Sequence, residues 1–171
     1  MAGLALLAGC QLVLDFSPLA DGGALDAGVI DGGSASDAAD LCAELEPNNS
    51  LATALAIEAG PLQAAVCPAG DDDFYGFELT GSEDMAIDLT FEQGANDLEL
   101  ALYDVAAIEV LTISTGTDGD ERIERSEAVS GRLPAGSYAV RVFGRDDDVQ
   151  NPYELVLSLG VPPRSTIPDR R

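Results

Sequence analysis

From residue 60 onward, apolar and polar positions alternate in short runs rather than recurring at helical spacing. In Ala86-Ile87-Asp88-Leu89-Thr90-Phe91 the odd positions are apolar. In Tyr138-Ala139-Val140-Arg141-Val142 the residues Tyr138, Val140 and Val142 fall on one face and Arg141 on the other. Tyr153, Leu155, Leu157 and Leu159 share a face in the same way. A period of two is the signature of a half-buried strand. The pattern predicts strands over Gln63–Val66, Phe74–Leu79, Met85–Phe91, Leu98–Tyr103, Val110–Ser114, Arg122–Val129, Ser137–Phe143 and Tyr153–Leu159. Turn residues separate them, at Thr80-Gly81-Ser82, Gly94-Ala95-Asn96, Gly116 to Asp120, Leu133-Pro134-Ala135-Gly136 and Asp146 to Pro152. Leu51 to Ile57, after Asn48-Asn49-Ser50, reads as a single helical turn or a covering strand. About eight short, mostly antiparallel strands without a long helix predict an all-β sandwich or jelly roll. A parallel α/β sheet is excluded because nothing of helical length connects the strands.

Before this domain the texture differs. Residues 1–9, MAGLALLAG, form a short apolar run ending at Cys10. No stretch approaches the roughly 18–20 apolar residues of a membrane-spanning helix. Leu7-Ala8-Gly9-Cys10 resembles the lipobox of bacterial lipoproteins. That resemblance implies removal of the first nine residues, lipidation of Cys10 and, with Gln11 following, delivery to an outer membrane or cell surface. The alternative is an ordinary free cysteine. No Lys or Arg precedes the run, which is shorter than a usual signal core, so the true start is expected upstream. Residues 10–41 read as a tether: Asp recurs every five or six residues from Asp15 to Asp40 amid Gly, Ala and Ser, with little to bury. The GGxGxD phase of a calcium β-roll is missing. The domain is expected over residues 42–159, and residues 160–171, with Pro162, Pro163, Pro168 and three arginines, as a disordered tail.

Charge narrows the function. The chain has 171 residues and a formal net charge of -23, from 31 acids against 8 basic residues. Such a surface repels phosphate backbones and anionic lipid, so nucleic acid is excluded as a partner and the membrane is met only through the anchor. Self-repulsion on this scale also calls for compensating cations. Histidine is absent, which removes the usual general base, the Ser-His-Asp triad and the commonest zinc ligand. Ser and Thr occur without a base, and no G-x-S-x-G elbow is present. Carboxylate pairs abound as in any acidic protein, with nothing marking one as a sugar-cleaving pair in an aromatic cleft. The chain is read as non-enzymatic.

Four motifs in order carry a family resemblance: Glu46-Pro47-Asn48-Asn49-Ser50, Gly70-Asp71-Asp72-Asp73-Phe74-Tyr75-Gly76-Phe77, Asn96-Asp97-Leu98-Glu99-Leu100-Ala101-Leu102-Tyr103-Asp104, and Ala135-Gly136-Ser137-Tyr138-Ala139-Val140-Arg141-Val142. Together they resemble the bacterial pre-peptidase C-terminal domain across nearly all of residues 44 to 159. Related jelly rolls include the collagen-binding modules of clostridial collagenases. The resemblance implies a β-sandwich with no catalytic activity of its own.

It also implies a calcium site, formed in the collagen-binding relatives by an E-x-E-x-N-[DN] segment and an acidic pair before an aromatic. Here the matching residues are Glu44, Glu46, Asn48 and Asn49, with Asp71 and Asp73 ahead of Phe74. Calcium takes six to eight oxygens from carboxylates and carbonyls. On an extended segment Glu44, Glu46 and Asn48 point the same way and converge. Of the three cysteines, Cys42 lies two residues before Glu44 and Cys67 four before Asp71. A Cys42–Cys67 disulfide, permitted in an exported protein, would draw the two arms together. The alternative is that these acids are part of a solvated acidic face. Asp118-Gly119-Asp120-Glu121 and Asp146-Asp147-Asp148 are read as solvated loop acids. Two functions stay open: a module docking to an unidentified protein or polysaccharide, or an accessory envelope protein aiding folding, export or assembly of a secreted partner. A contiguous exposed apolar patch favours the first and an evenly acidic surface the second. Tyr103, Tyr138 and Tyr153 are expected to point mostly inward, unlike the exposed tyrosines of the collagen-binding relatives.

Overall fold

The structure, a computed structural model, describes residues 41–92, 96–116 and 120–160. Cys10, the tether up to residue 40 and the tail beyond residue 160 lie outside the described residues. The described strands are β1 (Leu55–Ala56), β2 (Gly60–Val66), β3 (Asp72–Leu79), β4 (Met85–Phe91), β5 (Leu98–Asp104), β6 (Glu109–Ser114), β7 (Asp120–Arg125), β8 (Gly136–Gly144) and β9 (Asn151–Leu159). They form two sheets. One has the order β1-β3-β8-β5-β6, the other β2-β9-β4-β7. The β1–β3 pair is parallel; the pairs linking the longer strands are antiparallel.

The alternation read from the sequence becomes the interior of a sandwich. Tyr75, Phe77 and Leu79 of β3, Leu98, Leu100 and Leu102 of β5 and Val140 and Val142 of β8 meet Ile87 and Leu89 of β4 and Leu155 and Leu157 of β9 in one buried cluster. Each large aliphatic side chain buried this way stabilises the fold by roughly 1.5–3 kcal/mol. Tyr138 and Tyr153 are buried as expected; Tyr103 is half-buried on the outer face of the five-stranded sheet. On the outer side of the four-stranded sheet, Arg122 lies directly across from Asp88 and forms an ion pair with it.

Two segments differ from expectation. Leu51 to Ile57 supplies both elements at once, a 3-10 turn over Leu51–Thr53 and then β1. The strand expected over Arg122–Val129 runs instead from Asp120 to Arg125. Buried Ser126 ends it, exchanging backbone hydrogen bonds of 2.9 and 3.2 Å with Val129.

Candidate metal centre

Two segments meet at one end of the sandwich. The first, residues 46–49, lies beside the start of β3, where the Phe74 amide donates to the Asn48 carbonyl at 2.9 Å. The second is the turn entering β3. Its amide at Asp71 donates to the Pro68 carbonyl at 3.1 Å, and Gly70 sits at φ +78. That left-handed conformation suits glycine, and a Cβ there would also stand 3.1 Å from the Asp147 carbonyl oxygen. The turn aims Asp71 and Asp73 to one side and Asp72 outward, where it pairs with Arg141 at 2.7 Å. The Cys42–Cys67 disulfide joins the two segments, with Cα atoms 5.6 Å apart.

Carboxylate oxygens of Glu46, Asp71 and Asp73 come within 4.8 Å of one another. Among the described residues no arginine forms a salt bridge with any of them. The Tyr153 hydroxyl donates to Asp73 Oδ2 at 2.6 Å, and the Tyr75 and Tyr153 hydroxyls are 2.7 Å apart. The Asn49 side-chain amide donates to Asp71 Oδ1 at 2.6 Å, and its Oδ1 accepts from the Asn48 backbone N–H, which also donates to Glu46 Oε2, both at 3.1 Å. Burial holds the Asp73 carboxyl at about 7 against the opposing Tyr153 hydrogen bond. Burial likewise lifts Asp71 to about 6, opposed by the Asp72 amide and assisted by the charge of Glu46. Both shifts mark negative charge that the protein alone does not neutralise.

The donors fit a hard cation. Asn48 is fully buried, at 0% exposure, yet neither its side-chain oxygen nor its nitrogen has a hydrogen-bond partner, and Asp71 Oδ2 is likewise buried and unpartnered. The Asn48 amide lies near enough to favour the charge on Asp73 without a hydrogen bond of ordinary geometry. Orphaned buried oxygens beside converging carboxylates form an all-oxygen donor set that could coordinate a metal ion.

Of the residues expected at the site, Glu46, Asp71 and Asp73 come together, Asn48 is buried alongside and Asn49 spans the arms. Glu44 is placed differently. Residues 41–44 are helical rather than extended, so alternate side chains do not align there, and Glu44 is exposed outside the carboxylate group. The sequence reading missed Tyr75 and Tyr153 as partners of the site; they look like ordinary core positions, and Tyr153 is 80 residues from Asp73. Of the two acidic runs read as solvated, Asp146, Asp147 and Asp148 are exposed. Glu121 is instead buried, because the Ser114 hydroxyl and the Gly116 amide both donate to its carboxylate.

No family model matches the chain, nor does any curated protein sequence. Solved structures do. The pre-peptidase C-terminal domain of a Bacillus anthracis collagenase is 14% identical, covers 60% of this chain and 92% of its own, and has a TM-score of 0.50. The fold resembles that of this pre-peptidase C-terminal domain. Two periplasmic inhibitors of g-type lysozyme follow with lower TM-scores. The Aeromonas hydrophila protein is 17% identical, covering 61% of this chain and 93% of its own, at 0.37. The Salmonella Typhimurium protein is 12% identical, covering 61% and 96%, also at 0.37.

Proposed function

We propose that this is a non-catalytic, calcium-stabilised β-sandwich module, carried on an exported, lipid-anchored envelope protein and binding another protein or a polysaccharide. The carrying observation is the convergence of Glu46, Asp71 and Asp73 around the buried, unpartnered Asn48 amide. Glu46, Asn48, Asp71 and Asp73 would hold the ion, with Asn49 flanking it. Glu44 belongs to the proposed set through the resemblance of its segment alone. A bound calcium ion supplies positive charge that lets both buried aspartates ionise. Export is supported by the Cys42–Cys67 disulfide, a bond that persists in oxidising compartments. Anchoring through Cys10 is supported by the lipobox-like segment. A non-catalytic role is supported by the absence of histidine, the usual general base. Binding, rather than a purely accessory role, is supported by a group of exposed aliphatic side chains on β6 and the turn before it.

The test is thermal unfolding of the non-reduced chain in millimolar calcium and in EGTA, for the parent and a Glu46→Ala/Asp73→Ala variant. Calcium at about a hundred times its dissociation constant adds about 2.7 kcal/mol, a shift of roughly 10 °C for a domain of this size. The parent is expected to shift and the variant to stay put. Parent and variant responding alike would end the metal reading.

A further inference from the structure

Three of the largest exposed aliphatic side chains lie on one hairpin. Ile108, in the β5–β6 turn, is 73% exposed, and Val110 and Ile113 of the edge strand β6 are 41% and 54% exposed. A register shift in the β5–β6 pairing produces this arrangement. It lets Leu111 pack against the core, while Val110 stands opposite Tyr103 and Ile113 opposite Ala101, both on the outer face. From there the surface continues into aromatic side chains. Tyr103 is 5.8 Å from Phe74, and Arg141 lies 5.9 Å from the Phe74 ring and 4.1 Å from that of Phe143.

Local stability does not account for Ile108. Its φ of +53 is a left-handed conformation that a β-branched residue adopts only at a cost, and its exposure leaves almost no burial to offset that. Ile108 closes the loop that turns β5 into β6, so its backbone serves the turn while its side chain gains little by burial.

Charge identifies the occupant. Glu109 is exposed beside the ridge, and half-buried Asp104 of β5 stands opposite it. Of the arginines around it, Arg141 pairs with Asp72 and Arg145 with Asp97 and Glu99, while Arg125 reaches β6 from its inner side, donating to the Thr112 hydroxyl at 3.2 Å. A second copy of a chain with net charge -23 is repelled. We propose that the Ile108–Val110–Ile113 ridge docks a cationic protein, whose aliphatic side chains cover the ridge while its lysines or arginines meet the surrounding acids. The inference rests on the reading of the domain as a binding module and names its surface and partner class. Long-range attraction steers the encounter, and apolar contact at the ridge supplies selectivity.

The test is an NMR titration of the full, isotope-labelled chain with two peptides of equal length and charge, one alternating Arg with Val and the other Arg with Ser. The Arg/Val peptide is expected to shift the amides of Tyr103 and of residues 108–113 and to bind at least about tenfold more tightly, the effect of covering about 55 Å² of aliphatic surface. An Ile108→Ser/Ile113→Ser variant, whose unfolding midpoint shows that it still folds, is expected to lose that preference. Equal binding of the two peptides, shifts scattered away from the hairpin, or a preference that survives in the variant would each overturn the proposal. Titrations in calcium and in EGTA separate the two readings. A ridge preference supports docking whatever calcium does, and its absence alongside an intact calcium response counts against docking alone.

Discussion

The hydroxyl of Tyr153, on one sheet of the sandwich, donates a 2.6 Å hydrogen bond to Asp73 Oδ2 on the other. It is the direct polar partner of a carboxylate that is 2% exposed. Tyr153→Phe keeps the ring and deletes the donor. It leaves both Asp73 and the Tyr75 hydroxyl short of a partner. Losing a hydrogen bond to a buried charged group costs about 1–3 kcal/mol, so the urea midpoint in EGTA is expected to fall accordingly. Calcium is expected to shrink the deficit, because the ion then satisfies Asp73. A variant as stable as the parent in EGTA would mean that the hydroxyl relay contributes nothing to the fold.

The raised carboxyls fix the sign of a pH effect. In the unfolded chain both aspartates titrate near 3.8; folded, Asp71 does so at about 6 and Asp73 at about 7. Between these limits the folded state binds more protons than the unfolded one. Stability therefore falls as pH rises from about 4 to about 7, the reverse of an acid held in a salt bridge. Calcium requires the ionised forms, so its affinity rises over the same window, by up to about tenfold per pH unit for each proton displaced. Urea midpoints at about pH 5 and pH 7.5, in EGTA and in calcium, check both statements. Asp71→Asn/Asp73→Asn is expected to lose the calcium response and to be more stable than the calcium-free parent at the higher pH. If that variant shows the parent's own pH slope, the slope belongs to other acids.

Strand positions were legible because a period of two leaves a direct trace: Ile87, Leu89 and Phe91 alternate in the sequence and are buried in the fold. The arms of the site were legible too, since Glu46, Asn48, Asp71 and Asp73 sit in short local motifs. Contacts made by topology were not. Tyr153 reaches Asp73 only because β9 and β3 belong to sheets that face each other, a fact absent from either local sequence. Glu121 resembles its acidic neighbours, and only the approach of Ser114 and Gly116 distinguishes it. The placement of Glu44 was not legible for a different reason: the expectation assumed extended backbone where residues 41–44 are helical.

The disulfide spans a sequence separation of 25 and ties together the two arms that carry the carboxylates. In the chain-entropy model, closing a loop of this length stabilises the fold by about 3.5 kcal/mol. Cys42→Ser/Cys67→Ser is expected to lose a large part of that in denaturant unfolding. It is also expected to bind calcium more weakly, since ordering the first arm then falls to the ion itself. Unchanged affinity in the double variant would show that the Phe74–Asn48 backbone bond and the Asn49–Asp71 hydrogen bond suffice to hold the arm in place.

At the opposite edge of the sandwich, Glu121 of β7 accepts from the Ser114 hydroxyl at the end of β6 and from the Gly116 amide just beyond it. Because β6 and β7 belong to different sheets, this carboxylate closes the seam between them. The Ser114 oxygen in turn accepts from the Arg122 amide at 3.3 Å. Glu121→Ala leaves the serine hydroxyl and a backbone donor unpaired, and is expected to cost about 1–3 kcal/mol with faster hydrogen exchange at Gly116. Glu121→Gln keeps one oxygen for the Gly116 amide and offers an NH2 group to Ser114, whose hydroxyl can rotate to accept it. It also removes one charge from a chain already at -23. That variant is expected to stay within about 0.5 kcal/mol of the parent. A Gln variant as damaged as the Ala variant would show that the seam needs the full carboxylate, with its charge and both acceptor oxygens, and that the rearranged hydrogen bonds of Gln do not replace it.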